Sequence, residues 1–251
     1  RPRAPPRARA ARPRGLVFSR RGGDARGTPA SALKLQLSLQ RLTSPALPVG
    51  AFSYSRGLEA AVEMGAVGDE ASALAWIDGV LRHGVAPLDG AVFARLHRAF
   101  QAGDYEAAQR WGEHLQATRE SCELQDEDRN MGVALVRLLE DLGSARRGEL
   151  TRDAGFVAAF ALATVREAIP LPVALAGLLW TFCEAQVSAA IRLVPLGQTA
   201  GQRMLVALEK AVVAAVEATL ELADEDVGNT TPGLAMASAA HETQYSRLFR
   251  S

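Results

Sequence analysis

Four histidines (His83, His97, His114, His241) and two cysteines (Cys122, Cys183) are the residues from which this chain could build a metal site or an activated nucleophile. Their spacing favours neither. A zinc finger needs closely spaced Cys and His pairs, and a helical metalloprotease needs HExxH. A di-iron bundle needs Glu-x-x-His pairs. None of these occurs in the sequence, nor does GxGxxG, a Walker A loop or GxSxG. The common nucleotide-binding and hydrolase chemistries therefore have no carrier. His241 beside Glu242 offers a transient perch for a cation, with Cys122 and Cys183 as soft ligands. Cys183 lies in an apolar stretch and Cys122 in a charged one, and no third ligand stands at helical spacing. The expectation is no tight metal site, no cofactor and no catalysis. The alternative is an all-α metal- or cofactor-dependent enzyme whose ligands converge from distant helices.

Recognition is the other chemistry on offer. Pro45 and Pro48 stiffen a loop that closes at Gly50, and such a loop can present Phe52 and Tyr54 to a partner at little ordering cost. Aromatic anchors of this kind often carry interface energy. The plainer reading is that two prolines and a glycine fix a helix entry. Gln198 and Gln202 lie four apart and would share a helix face. Their amides suit the backbone groups of a neighbouring subunit, or else make a solvated first turn. Arg203, close by, invites comparison with an arginine finger. The tail, with Tyr245, Arg247, Leu248 and Phe249, is apolar and aromatic after a turn-rich linker. It either docks back or awaits a partner.

The elements that would position these residues are helical. Leu35, Leu37 and Leu39 alternate with polar residues and could form a strand, but no other segment offers that strand a partner, so a short helix running toward Leu42 is expected. A helix covers roughly 54–65. Asp69 or Ser72 caps the next, and Gly84 stops it. Pro87 suits the first turn of a further helix with Val92, Phe93, Leu96 and Phe100 on one face. Gly103 stops that helix and Asp104 caps its successor. The run from Glu120 to Arg129 reads as a solvated helical face, ahead of Met131, Leu135, Leu138 and Leu139. Asp153 caps a helix carrying Phe156, Phe160 and Val165. From Pro170 to about Leu193 the chain is apolar nearly all round, as the central helix of a bundle is. Its longest uncharged stretch falls short of the ~20 residues a bilayer span needs. Thr199 caps a last long helix to about Ala223. The fold class is all-α: a single bundle of about eight to ten helices with a flexible C-terminal tail.

The net charge of zero hides two unlike parts. Residues 1–34 hold nine Arg and Lys34 against Asp24, which gives +9; residues 35–251 carry the balance, −9. The first part is expected to be a disordered Arg/Pro-rich extension. Nucleic-acid binding, a transit peptide and translated upstream sequence are its competing readings. The chain opens on Arg1, and its first methionine is Met64. The acidic body disfavours nucleic acid. No apolar run follows the arginines, so neither a secretory signal nor a membrane anchor is expected. The divisions are 1–34, a helical domain over 35–223, and a linker with a partner-binding tail over 224–251.

Three segments together resemble the UreF family of urease accessory proteins: SPALPVGAFSYSRGLE (44–59), RLVPLGQTAGQR (192–203) and HETQYSRLFRS (241–251). The region 120–139, with EDRNMG at 127–132, is similar to the family's middle region. The resemblance covers about 35–251. One departure stands out: the family usually carries charges around an Ala-Ser pair before the histidine, where this chain has AMASAA (235–240). The resemblance implies an all-helical, non-catalytic cytoplasmic protein that forms a homodimer. It implies binding to a UreD/UreH-type accessory protein and then a UreG-type GTPase. The assembly would dock on apo-urease and couple GTP hydrolysis to nickel insertion, with neither nucleic acid nor membrane as a partner. It also places the segment with Pro45, Pro48, Gly50, Phe52 and Tyr54 near the partner-binding surfaces, and the expected partner-binding residues are these together with Gln198, Gln202, Arg203, His241, Glu242, Tyr245, Arg247, Leu248 and Phe249.

Overall fold

The computed structural model describes residues 28–151 and 153–251. The expected basic extension lies outside the described residues as far as residue 27. Helix α1 spans Pro29–Leu42, so helical structure starts at Pro29 rather than Leu35. Thr28 caps it by accepting the Ser31 N–H, and Pro29 sits in the first turn, where its missing N–H costs nothing.

After a short 3-10 turn at Ala51–Ser53, α2 spans only Leu58–Glu63, not 54–65. The cause is local. Arg56 and Gly57 both have positive φ, 49° and 76°, which no helix can contain. Gly57 is also pressed against the helix over Pro232–His241, since a Cβ there would lie 3.2 Å from the Ser238 nitrogen.

Asp69 and Ser72 form a reciprocal capping box at the head of α3, Glu70–Val80. The chain then does not stop at Gly84. A π-helical segment, Leu81–Gly90, runs directly into α4, Ala91–Ala102, and Pro87 stands inside it rather than at a helix start. A proline removes one N–H and crowds the carbonyl four residues back. That carbonyl, on His83, accepts instead from the Thr230 N–H at 3.0 Å. The Pro87 carbonyl accepts from the Gly228 N–H at 3.2 Å, and the Ala86 carbonyl from the Thr219 hydroxyl at 3.2 Å. The linker thus satisfies the His83 carbonyl, which the proline orphans, and adds a bond to the carbonyl of Pro87 itself. Gly84 is there for room, because a Cβ would meet Thr231 at 3.1 Å.

Gly103, at φ 73°, and Asp104 behave as stop and cap, and α5 spans Tyr105–Thr118. Ser121 caps α6, Cys122–Asp141. Helix α7 spans Phe156–Arg166 with Gly155, not Asp153, at its N-cap. Helix α8 is Leu171–Leu193, and α9 is Gln198–Glu221 with Gly197, not Thr199, at its head. Helix α10, Pro232–His241, begins the tail. No strand occurs among the described residues.

Helix α8 packs along α9 and also touches the π segment, α2, α3 and α4. It is the only described helix long and apolar enough to cross a membrane, and 67% of its apolar window is buried inside the fold. Helix α7 lies between α4 and α6, and every residue from Phe156 to Thr164 is buried. Fully enclosed Phe93 and Phe160 meet with tilted rings, centroids 6.0 Å apart, between α4 and α7.

Helices α6 and α7 approach closely at one point. A Cβ on Gly132 would lie 2.2 Å from the Ala154 carbonyl oxygen and 2.8 Å from the Phe156 nitrogen. Backbone cannot swing aside, so Gly132→Ala should cost about 1–3 kcal/mol in denaturant unfolding. Gly112→Ala, where the Cβ meets open space within α5, should instead gain about 1 kcal/mol from helix propensity.

Candidate functional site

The Glu120–Arg129 stretch is not a solvated face. Glu127 and Asp128 are buried at 4% and 1% exposure, and with Arg119, Asp89 and Arg56 they make a charge cluster inside the protein. Arg119 holds Asp89 bidentately, at 2.8 and 3.1 Å. Arg56 donates to Glu127 at 2.7 Å and stands 3.7 Å from Asp89. Asp128 accepts from the Gln116 amide and lies 3.5 Å from Arg119, inside ion-pair range but outside hydrogen-bonding geometry. Three carboxylates thus face two guanidiniums. Burial alone would push Asp89 up, but Arg119 and then Arg56 hold it below the ordinary carboxylate range. Burial dominates at Asp128 and pushes its carboxyl up, helped by neighbouring Asp89 and opposed by Arg119. The π segment supplies Asp89, the positive-φ turn supplies Arg56, and α6 supplies the other two carboxylates.

The tail reaches this cluster. The Ser251 hydroxyl donates to Glu127 at 3.1 Å, and Ser55 binds the Ser251 carbonyl through its N–H (2.5 Å) and its hydroxyl. The Arg250 N–H donates to the Ser53 carbonyl at 2.8 Å. Higher up, Glu59 accepts the N–H groups of Leu248 and Phe249, at 2.7 and 2.8 Å. His241 is fully buried between two carboxylates: Nδ1 is 2.7 Å from Glu123, and Nε2 is 3.3 Å from Glu59. Arg247 donates to the other Glu123 oxygen at 2.8 Å. Glu242 caps the start of α6 by accepting the Cys122 N–H at 2.9 Å. The tail is docked in an acidic socket of α2 and α6 rather than loose.

Docking sorts the tail's apolar residues. Phe249 is buried, with Arg192 stacked 5.9 Å over its ring. Tyr245 is fully exposed and Leu248 is 63% exposed. Of the two readings of the tail, docking back holds for Phe249, while Tyr245 and Leu248 stay outside. The Pro45–Gly50 loop divides likewise. Pro45, Pro48 and Gly50 are exposed and Phe52 is half-buried, but Tyr54 lies in the core and presents nothing. Gln198, Gln202 and Arg203 are exposed at the head of α9, where Arg203 is taken up by Glu70 at 2.9 and 2.5 Å. An arginine finger must be free to reach its target, and Arg203 would first have to leave Glu70. The predicted residues other than buried Tyr54 therefore fall into three places: the Pro45–Phe52 loop, the tail with its socket, and the α9 head.

His241 cannot serve as an open cation perch, because both ring nitrogens are taken by different carboxylates. Among the described residues, no group of three or more His, Cys, Asp or Glu side chains is placed to hold a metal ion. Cys183 is buried in α8, and burial first, then Asp78 and Glu184, push its thiol up to about 12. A small cavity of about 40 Å³ beside the charge cluster is lined by Tyr54, Arg56, Asp89, Glu127 and Gln186.

Sequence reasoning missed Arg56, Glu59, Asp89, Arg119, Glu123, Glu127 and Asp128. One signal was available. Leu124, Asp128, Met131 and Leu135 follow helical spacing, so Asp128 stands within an apolar stripe that faces inward.

Residues 67–209 match the family model described as UreF. The chain is 50% identical over 218 residues to the urease accessory protein UreF of Alkalilimnicola ehrlichii, covering 86% of this chain and 96% of that protein. It is 51% identical over 217 residues to UreF 2 of Brucella anthropi, again covering 86% and 96%. Against UreF of Chromohalobacter salexigens the identity is 47% over 214 residues, covering 85% and 93%.

The two cluster aspartates should respond oppositely to neutralisation. Asp89→Asn leaves Arg119 without its bidentate partner and should cost about 3–5 kcal/mol at neutral pH. A carboxylate held low in the fold adds stability above its unfolded value, about 3.9. That stability disappears as pH falls through the lower folded value, so the deficit of Asp89→Asn should shrink in acid. A carboxylate pushed up opposes folding at neutral pH, so Asp128→Asn should be nearly neutral or stabilising there. Urea unfolding across pH checks both signs.

Proposed function

The chain belongs to the UreF family of urease accessory proteins, and from that premise we propose that it is a non-catalytic scaffold for nickel delivery to urease. In this reading it works in the cytoplasm as a homodimer. It engages a UreD/UreH-type accessory protein, recruits a UreG-type GTPase and docks on apo-urease. Nickel is the cargo of the assembly and GTP hydrolysis belongs to the GTPase. This chain contributes surface, holds no resident cofactor and makes no covalent bond.

The observation that carries the reading is the form of the tail. Leu248 projects from a segment fastened by Glu59 above and by Ser53 and Ser55 below, and Tyr245 projects from the turn between His241 and Arg247, both of which are held by Glu123. An exposed aromatic on an ordered strap is a ready anchor, because little chain entropy remains to be lost on binding.

Two variants test it in pull-down with the UreD/UreH-type protein. Removal of residues 245–251 should abolish capture. The double substitution Tyr245→Ala with Leu248→Ala removes mainly exposed atoms; it should nearly keep the unfolding midpoint and weaken binding at least about tenfold, as loss of interface anchors does. Undiminished capture by both variants rejects the reading.

A further inference from the structure

The backbone of the tail hangs on one buried carboxylate. Glu59 is 7% exposed and lies in the second position of α2. Its two oxygens accept consecutive N–H groups, Oε1 from Leu248 at 2.7 Å and Oε2 from Phe249 at 2.8 Å. Hydrogen bonds to an ionised acceptor are the stronger kind, and two from neighbouring residues fix orientation as well as position. No other described side chain binds the N–H groups of these two residues.

We infer that Glu59 is a positioning residue for partner recognition: by pinning the Leu248 and Phe249 amides, it sets which tail side chains face out and which face in. With both amides directed at one carboxylate, the Phe249 ring enters the body under Arg192 while Leu248 and Tyr245 stay outside. A slip of one residue would bury Leu248 and expose Phe249. His241 braces the arrangement. Its Nε2 meets the Glu59 oxygen that takes the Phe249 amide, and its Nδ1 meets Glu123, which also takes Arg247. Tail and socket thus share a ladder running Arg247, Glu123, His241, Glu59. The inference rests on the proposed function, in which the tail meets the UreD/UreH-type protein. It adds that the affinity of that encounter is decided on α2, at a residue the partner does not touch. A partner that binds only the correctly set tail loses affinity in proportion to the fraction so set.

The test uses the full chain and the UreD/UreH-type protein, with Glu59→Ala and Glu59→Gln beside the 245–251 deletion. Amide hydrogen exchange should show loss of protection at Leu248 and Phe249 in Glu59→Ala, with α8 amides unchanged. Partner affinity should fall about tenfold or more, the size of one or two charge-assisted hydrogen bonds. Glu59→Gln, which keeps one acceptor oxygen, should fall in between. Leu248→Pro removes one of the two amides without altering the socket, and it should weaken binding more than Leu248→Ala. This tail-side pair answers the question even if the Glu59 variants fold poorly. Glu59→Ala with exposed amides and full affinity, or Leu248→Pro no weaker than Leu248→Ala, overturns the inference alone. Capture that survives the deletion removes the proposed function, and this inference with it.

Discussion

The ionic contact between Asp89 and Arg119 is the constraint on which the rest of the molecule leans. Both groups are removed from water, where an unpaired charge would cost several kcal/mol, on the order of an unfolding free energy. Their pairing therefore fixes where three elements must be. The π segment must bring Asp89 inward, the end of α5 must turn so that Arg119 meets it, and α6 must start where Asp128 and Glu127 close the group. Arg56 joins from the turn before α2 and ties that turn to α6. Helix packing alone would let these elements slide against one another. Directional bonds between guanidinium and carboxylate do not.

The unusual winding from Leu81 to Gly90 belongs to the same logic. A proline in mid-helix should break the chain, and here it does not: Thr230 feeds its N–H to the freed His83 carbonyl, and Gly228 donates to the carbonyl of Pro87. The linker before α10 is therefore a structural partner of the rod from Glu70 to Ala102. What lies beyond it, α10 and the tail, is directed back over α2 and α6. Cluster, π segment, linker and tail form one connected set of bonds, which joins the most buried charges to the most exposed aromatic.

Much of this was legible in the residues. Asp69 with Ser72, and Gly103 with Asp104, carry their stop and start signals within a few positions, and the structure uses them as expected. The apolar run of α8 announced a central helix. The three short segments that pointed to the family lie at the tail, its socket and the α9 head. What stayed hidden depends on partners far along the chain. Glu127 and Asp128 look solvated until Arg56 and Arg119 are placed beside them. Gly84 and Pro87 look like breakers until Thr231, Thr230 and Gly228 are known to fill the gap. Tyr54 looks like a presented aromatic because nothing local reveals that the chain turns at Arg56 and folds its ring inward. Local pattern reports hydrophobic period and caps; it does not report which distant charge will arrive.

The two cysteines lie in opposite surroundings. Cys183 sits in the core with its thiol pushed far from ionisation, while Cys122 is exposed at the head of α6, where the Glu242 carboxylate holds its N–H. Alkylating reagents attack thiolates that solvent can reach. The native chain therefore carries a single addressable sulfur at the joint where the strap leaves α10, and a fluorophore attached there would sense the strap lifting without any engineered position.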